Sequence, residues 1–187
     1  SLSYRSPLHI VCGSRQYLYD AEGRRYLDCV NNVAHVGHSH PRVVRAAVEQ
    51  MAVLNTNTRY LHELLVEYIE RLTSTLPEPL RAVYLVSSGS EANDIAVSMA
   101  RLFTGNRDVI ALRNAYHGNS PSARGLTSLS TWKFSDAPGS DVHHAINPHF
   151  YRNPFSGTPD EVSSKSAQDI RDLIRYSTPG KVAAFIC

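Results

Sequence analysis

The sequence predicts an α/β fold built on a parallel sheet, and three observations predict it. A short apolar run, Ala82–Val86, leads into a turn of small residues and then an amphipathic helix. A second strand-like run, Asp108–Leu112, follows that helix, and both runs are continuously apolar rather than alternating. Strand, helix, strand with continuous apolar strands is the βαβ pattern of a parallel sheet buried on both faces. A third apolar run, Val182–Cys187, comes after a Pro179-Gly180 turn and reads as a further buried strand.

Composition bounds the possibilities. The 187 residues suit one domain or somewhat more, and with 42% hydrophobic and 19% charged residues the chain is not globally disordered. A net charge of +2, from 19 basic and 17 acidic residues, argues against a nucleic-acid or membrane-surface partner. No apolar run reaches the roughly 18 residues of a membrane span. Three cysteines, Cys12, Cys29 and Cys187, are odd in number and widely spaced, the pattern of reduced thiols rather than a disulfide framework. The first residue is Ser1 and the last run is strand-like, so the sequence is expected to be the N-terminal piece of a longer protein.

In chain order, residues 1–16 read as irregular. Tyr17–Tyr19 and Arg25–Val30 flank Asp20-Ala21-Glu22-Gly23 and predict a hairpin with Gly23 at a positive φ. Asn31–Pro41 is a polar loop with histidines at 35, 38 and 40. No carboxylate or cysteine stands at ligand spacing there, so a loop ending at a helix start, with Ser39 or His40 as cap and Pro41 at the first position, accounts for it better than a metal site. The helix that follows carries Val44, Ala47, Val48, Met51 and Leu54 on one face. A second helix repeats Leu61, Leu64, Leu65, Tyr68, Ile69, Leu72 and Leu76 before Pro77 and Pro79, and both stripes read as core. Residues 119–160 read mostly as loop, a length that in a compact domain points to function or to hidden elements. Ala167–Tyr176 reads as a short helix.

The candidate site begins at Ser87–Asp94, the turn between the first βαβ strand and its helix. Helix N-terminal N–H groups have no intrahelical partner and attract anions. Gly89 allows close backbone approach, and Ser88 and Ser90 add hydroxyls. Ser88-x-x-Glu91 also fits a capping box, so phosphate cradle and helix cap both remain open on these residues alone. The helix is expected to bury Ala92, Ile95, Ala96, Met99 and Phe103, and Gly105 to end it. Asn114–Asn119, containing Tyr116-His117-Gly118, lies just past a strand end, where open α/β sheets hold ligands. Its tyrosine could stack on a planar ring or lie half-buried against its own strand.

Assembled, the sequence resembles the class-III aminotransferases, pyridoxal-phosphate enzymes of fold type I. The matching stretches are Tyr26-Leu27-Asp28, Gly37-His38-Ser39-His40-Pro41, Ser87–Asp94 and Ala115-Tyr116-His117-Gly118, in the family's order. Two branches compete. Asn31–His38 and Leu54–His62 look like the ethanolamine-phosphate phospho-lyases. Arg113–Asn119, Thr131-Trp132-Lys133-Phe134 and Val142–Pro148 look like the alanine–glyoxylate aminotransferase 2 group.

The resemblance implies an incomplete fold of type I. Residues 1–54 would be an N-terminal hairpin segment and helix of the small domain, and 55–187 the first part of the large cofactor-binding domain. It implies pyridoxal 5′-phosphate as cofactor, with Ser88, Gly89 and Ser90 on the phosphate, Tyr116 stacked on the ring, His117 and Gly118 shaping that loop, and Glu91 near ring and phosphate. Asn31–Val36 and Thr56–Tyr60 would lie near the substrate mouth and dimer interface. It implies amino-acid and 2-oxo-acid substrates, a homodimer in the full-length protein, and a mitochondrial location, with the cytoplasm as alternative. The family's Schiff-base lysine and pyridine-binding aspartate fall beyond Cys187, and Lys133, Lys165 and Lys181 lack the family's lysine context, so no catalytic residue is assigned. The expected activity is amino-group transfer from an amino acid such as alanine to a 2-oxo acid such as glyoxylate. Phospho-lyase action on ethanolamine phosphate is the alternative, and a catalytically inactive truncated product is the alternative of another class.

Overall fold

The computed structural model describes residues 4–30, 35–57, 59–133, 139 and 141–187. They divide into two compact units, Ser1–Ser74 and Thr75–Cys187. The second long helix, Glu63–Thr73, lies in the first unit.

The first unit holds a three-stranded antiparallel sheet, β1 (Ile10–Ser14), β2 (Tyr17–Asp20) and β3 (Arg25–Leu27), in that spatial order. The β2–β3 hairpin forms as expected, with Gly23 at φ 78°. Its turn is organised by a residue the pattern did not single out, Asp20, which is only 3% exposed. Its carboxylate accepts from the N–H groups of Glu22 and Arg24, the Arg24 guanidinium and the Tyr26 hydroxyl. Burial pushes its pKa up, but these bonds outweigh burial and hold it down at about 2. β1 corrects the irregular reading of residues 1–16; its Cys12-Gly13-Ser14 stretch has little strand propensity, and pairing with β2 imposes the strand.

Helices α1 (Pro41–Val53) and α2 (Glu63–Thr73) complete this unit. His40 is the cap residue and Pro41 opens α1, as the sequence predicts. The apolar stripes are not core, however. Neither helix has a buried residue, and Leu61, just ahead of α2, is 99% exposed. Amphipathic period identifies the helix but not what covers its face.

In the second unit β4 (Val109–Leu112) lies between β5 (Val142–Ala145) and β6 (Ala184–Ile186), parallel to both. Helices α3 (Gly89–Thr104), α4 (Pro121–Leu126) and α5 (Pro159–Ser177) accompany the sheet. Val109, Ile110 and Ala111 are wholly buried, and Val97 and Leu126 close the core with Val142, Ala184 and Ile186 at its edge.

Three expectations are corrected here. Ala82–Val86 forms no ladder with any described residue, and Tyr84, Leu85 and Val86 are exposed; an apolar run becomes a strand only beside a partner. The parallel sheet exists, but its pairs are β4–β5 and β4–β6. Residues 119–160 lie mostly outside helix and strand, as expected, but they also contain α4, a 3₁₀ turn at Ser130–Trp132 and β5. Strand β5 was hidden by two polar residues, whose bonds explain them: His143 Nε2 lies 2.7 Å from Asp108 Oδ1, and His144 Nε2 lies 3.2 Å from the Leu126 carbonyl. Helix α5 starts well before Ala167, at a capping box in which Thr158 and Glu161 exchange bonds.

The third correction concerns α3. Of the face expected inward, Ala92, Ala96, Met99 and Phe103 are exposed, Phe103 at 93%, and only Ile95 is half-buried. The buried residue is Val97, and the inward side carries Asn93, Asp94 and Arg101. Arg101 reaches Asp141 at 2.6 Å, just ahead of β5. Polar anchors rather than the apolar stripe set the rotation of this helix.

Candidate functional site

The site is built at the start of α3, within the second unit. Ser88 caps the helix, its Oγ accepting from the Glu91 N–H at 3.2 Å, and the Glu91 carboxylate accepts from the Ser87 N–H at 2.8 Å. The cap is therefore real, but the carboxylate reaches Ser87 rather than Ser88 itself. The N–H groups of Gly89 and Ser90 have no acceptor among the described residues. Ser90 Oγ accepts from the Asn119 N–H at 3.1 Å. Both serine oxygens thus act as acceptors within the protein, and their hydroxyl protons remain to be donated. A cap and unpaired donors coexist in one turn.

The loop after β4 is folded onto this turn. Asn114 takes the left-handed conformation at φ 62°, and the chain then reverses past Tyr116. Gly118, at φ 121°, lies directly on Ser90: a Cβ there would come within 2.9 Å of Ser90 Cα and Cβ and closer still to its hydroxyl. Asn93 Nδ2 donates to the His117 carbonyl at 2.7 Å, and the Ser120 hydroxyl donates to Asp94 Oδ1 at 2.8 Å. On the other side, buried Thr127 accepts from the His117 N–H at 2.9 Å and donates to the Gly118 carbonyl at 3.0 Å. Tyr116 is 49% exposed, and its ring meets Trp132 at 5.3 Å between centroids, tilted by 57°.

Ser88, Gly89, Ser90 and Glu91 are thus brought together with Gly118 through Ser90. His117 differs from its neighbours: its side chain is buried, and its Nε2 has no partner among the described residues. Burial pushes its pKa down, and His144 adds to that. His144 is lowered in turn, first by burial and then by the Lys133 and Arg113 charges, against the opposing Leu126 carbonyl bond. Both shifts favour the neutral imidazole. Asn93, Asp94, Ser120 and Thr127 were not singled out by sequence. Ser90, Asn93 and Asp94 stand at i, i+3 and i+4, one helical face, and that polar stripe was the available signal.

Parts of the remaining expectations lie outside the described residues, namely Asn31–Ala34, Thr58 and Phe134. In the first unit His38 Nε2 meets the Asp28 carboxylate at 2.7 Å. Gln50, Leu54–Asn57, Tyr60, His62 and Tyr68 line a cavity of about 410 Å³. The three cysteines are exposed.

Residues present fit a phosphate-bearing ring compound: two free N–H groups and two hydroxyls at a helix start, a glycine contact that brings a second loop alongside, and an exposed aromatic on that loop. Fold and site together define an α/β protein in which a helix start with unpaired donors meets a glycine-aromatic loop that follows a parallel strand.

The chain belongs to the class-III aminotransferases: the family model "Aminotransferase class-III" matches residues 3–187. It is 46% identical over 187 residues to "Alanine--glyoxylate aminotransferase 2 homolog 2, mitochondrial" of Arabidopsis thaliana, covering 98% of this chain and 38% of that protein. Among solved structures it resembles a phospholyase from Arthrobacter in complex with phosphoethanolamine, with a TM-score of 0.87 and 36% identity over 99% of this chain and 44% of that one. It also resembles an omega transaminase from Pseudomonas jessenii in complex with PMP, with a TM-score of 0.87, 29% identity, 96% of this chain and 42% of that one. The chain thus spans about two fifths of the length of these proteins, and its α/β fold is an incomplete version of theirs.

Proposed function

We propose that the protein carrying this chain is a pyridoxal-phosphate-dependent transaminase, moving an amino group from an amino acid such as alanine to a 2-oxo acid such as glyoxylate. The observation that carries the reading is the packing of Gly118 on Ser90, which joins a helix-start cradle to an aromatic loop. Bound pyridoxal phosphate supplies an electron sink for the carbon bearing the amino group. Everything this chain contributes is placement. The Gly89 and Ser90 N–H groups and the Ser88 and Ser90 hydroxyls bind the phosphate dianion. Tyr116 offers its face to the ring, backed by Trp132. Glu91 is held by the Ser87 N–H at the cradle's edge, and buried, neutral His117 supports the loop without adding charge beside it.

No residue of this chain is assigned to covalent attachment of the cofactor or to protonation of its pyridine nitrogen. Lys165 is engaged with the Ser156 carbonyl, and neither Lys133 nor Lys181 is among the cradle residues. The similarity to alanine–glyoxylate aminotransferase 2 proteins supports alanine and glyoxylate as the substrate pair and a mitochondrial location. The phospholyase neighbour supports one second reading, elimination of phosphate from ethanolamine phosphate.

The test uses the full-length protein loaded with pyridoxal phosphate. Pyruvate formation from alanine that requires glyoxylate is expected. Release of inorganic phosphate from ethanolamine phosphate with no oxo acid present would replace transamination with the phospho-lyase reading. Failure to retain the cofactor would overturn both.

A further inference from the structure

We infer that Asn93 and Thr127 are positioning residues that fix the Tyr116 ring relative to the phosphate cradle, so that one rigid body presents both halves of the cofactor site. The inference rests on the cofactor reading above and adds to it how the two halves are kept in register.

Consider the peptide groups that follow Tyr116. The Tyr116–His117 peptide donates its N–H to Thr127 Oγ1 at 2.9 Å. The next peptide, His117–Gly118, offers its carbonyl to Asn93 Nδ2 at 2.7 Å. The third, Gly118–Asn119, is held at both ends: its carbonyl accepts from Thr127 Oγ1 at 3.0 Å, and its N–H donates to Ser90 Oγ at 3.1 Å. Three consecutive peptide groups are thus gripped from two sides, by α3 and by the residue just after α4. Ser120, one position further, is tied to Asp94. Each peptide group is planar, so hydrogen bonds on consecutive groups fix the φ and ψ angles of the Cα atoms between them. Gripping these three restrains the backbone that leaves Tyr116, whose ring meets Trp132.

Each pin is specific in its chemistry. Asn93 must donate, because its partner is a carbonyl. Thr127 must accept and donate at once, which a hydroxyl does and a methyl does not. Thr127 is 1% exposed, so its bonds form away from competing water. The pins also start from the cradle. Ser90 and Asn93 stand one turn apart on the helix whose first N–H groups would meet the phosphate, so two of the pins share a helix with the anchor.

The test separates the coupling from the cradle. In the full-length apoprotein, pyridoxal phosphate affinity is measured by equilibrium dialysis, and ring orientation is read from the visible circular dichroism of the bound cofactor. The affinity of inorganic phosphate for the same site is measured by competition. Asn93→Asp keeps the shape but turns a donor into an acceptor facing the His117 carbonyl. It is expected to weaken pyridoxal phosphate binding about tenfold, the effect of losing one buried hydrogen bond, and to diminish the dichroic band. Inorganic phosphate affinity is expected to fall clearly less than that of pyridoxal phosphate. Thr127→Val is expected to do the same, and Thr127→Ser, which retains the hydroxyl, to recover most of the loss.

Unchanged cofactor affinity and dichroism in Asn93→Asp would overturn the inference alone. Equal weakening of inorganic phosphate and cofactor would overturn it as well, since the residue would then be acting on the cradle. A wild-type protein that binds no pyridoxal phosphate would overturn the cofactor reading itself. Should Asn93→Asp not fold, the Thr127 pair decides: Val and Ser variants indistinguishable in affinity and dichroism would sink the inference.

Discussion

Replacing Gly118 by alanine is the sharpest perturbation the site offers. The residue sits at φ 121°, a region L-residues rarely adopt, and holding a side chain there costs about 1–3 kcal/mol. The added Cβ would also lie 2.9 Å from two atoms of Ser90, one of them backbone, inside van der Waals contact. Overpacking of this kind costs about 1–3 kcal/mol more. If the loop instead lifts away, it gives up the Asn119–Ser90 bond, worth about 1 kcal/mol. Relief by that route limits the total to about 3 kcal/mol. With urea slopes of about 1–3 kcal/mol per molar, the midpoint for the Thr75–Cys187 unit should fall by about 1–3 M. Gly89→Ala is the matched comparison. Nothing lies within 4 Å of its Cβ position, and its φ is outside the positive region. That change should hold stability or raise it by about 0.4–1 kcal/mol. Urea unfolding followed by Trp132 fluorescence reads both variants. A Gly118→Ala midpoint equal to that of Gly89→Ala would refute the argument that Ser90 and this loop are in hard contact.

Three further outcomes are expected. First, the two units should differ in acid sensitivity. His117 and His144 have lowered pKa values in the folded chain, so their contribution is fully present above the ordinary 6.5 and is lost as pH falls below it toward their folded values. Asp20 is also lowered, from 3.8 to about 2, so its contribution is intact above 3.8 and lost as pH falls through about 2. Emission from Trp132, the single tryptophan, should change below 6.5 while the hairpin of the first unit persists; a first change only in the carboxylate range would contradict this. Second, Tyr116→Ala should weaken cofactor retention and turnover in the full-length protein, and unchanged values of both would remove the stacking role. Third, the chain on its own should self-associate, because Leu61, Leu102 and Phe103 are among many large apolar residues left exposed. A monomeric species in sedimentation velocity, with a cooperative melt, would oppose that.

What the sequence made legible was chemistry with a local cause. The Gly23 hairpin, the His40-Pro41 helix start, the Gly105 helix end and the Ser88 cap each depend on a few neighbouring residues, and each is found. The features that escaped are those decided by distant partners. Strand β5 is Val-His-His-Ala, and its histidines make sense only beside Asp108 and the Leu126 carbonyl. Ala82–Val86 has the composition of a strand and no partner among the described residues. Of the candidate site, the cradle and the aromatic loop were visible as separate motifs. The bonds that join them, from Asn93, Asp94 and Thr127, span up to 26 residues of sequence and left only a weak trace in helical spacing.

Helix α3 shows why these two kinds of information must be weighed together. Its hydrophobic stripe is genuine, and period alone would turn Met99 and Phe103 inward. The polar stripe is equally genuine, and Asn93, Asp94 and Arg101 have partners at 2.6–2.8 Å on the inner side. Turning the helix to bury the apolar face would break those bonds and leave an asparagine, an aspartate and the loop carbonyls to find others, at about 1–3 kcal/mol for each buried group left unpaired. It would also swing the free N–H groups of Gly89 and Ser90 away from the Tyr116 loop. The orientation that keeps the cradle beside the ring therefore leaves an apolar face outward, an arrangement soluble proteins maintain by covering that face with further protein. The same polar contacts that assemble the site thus make its stability depend on what packs against the opposite side of the helix.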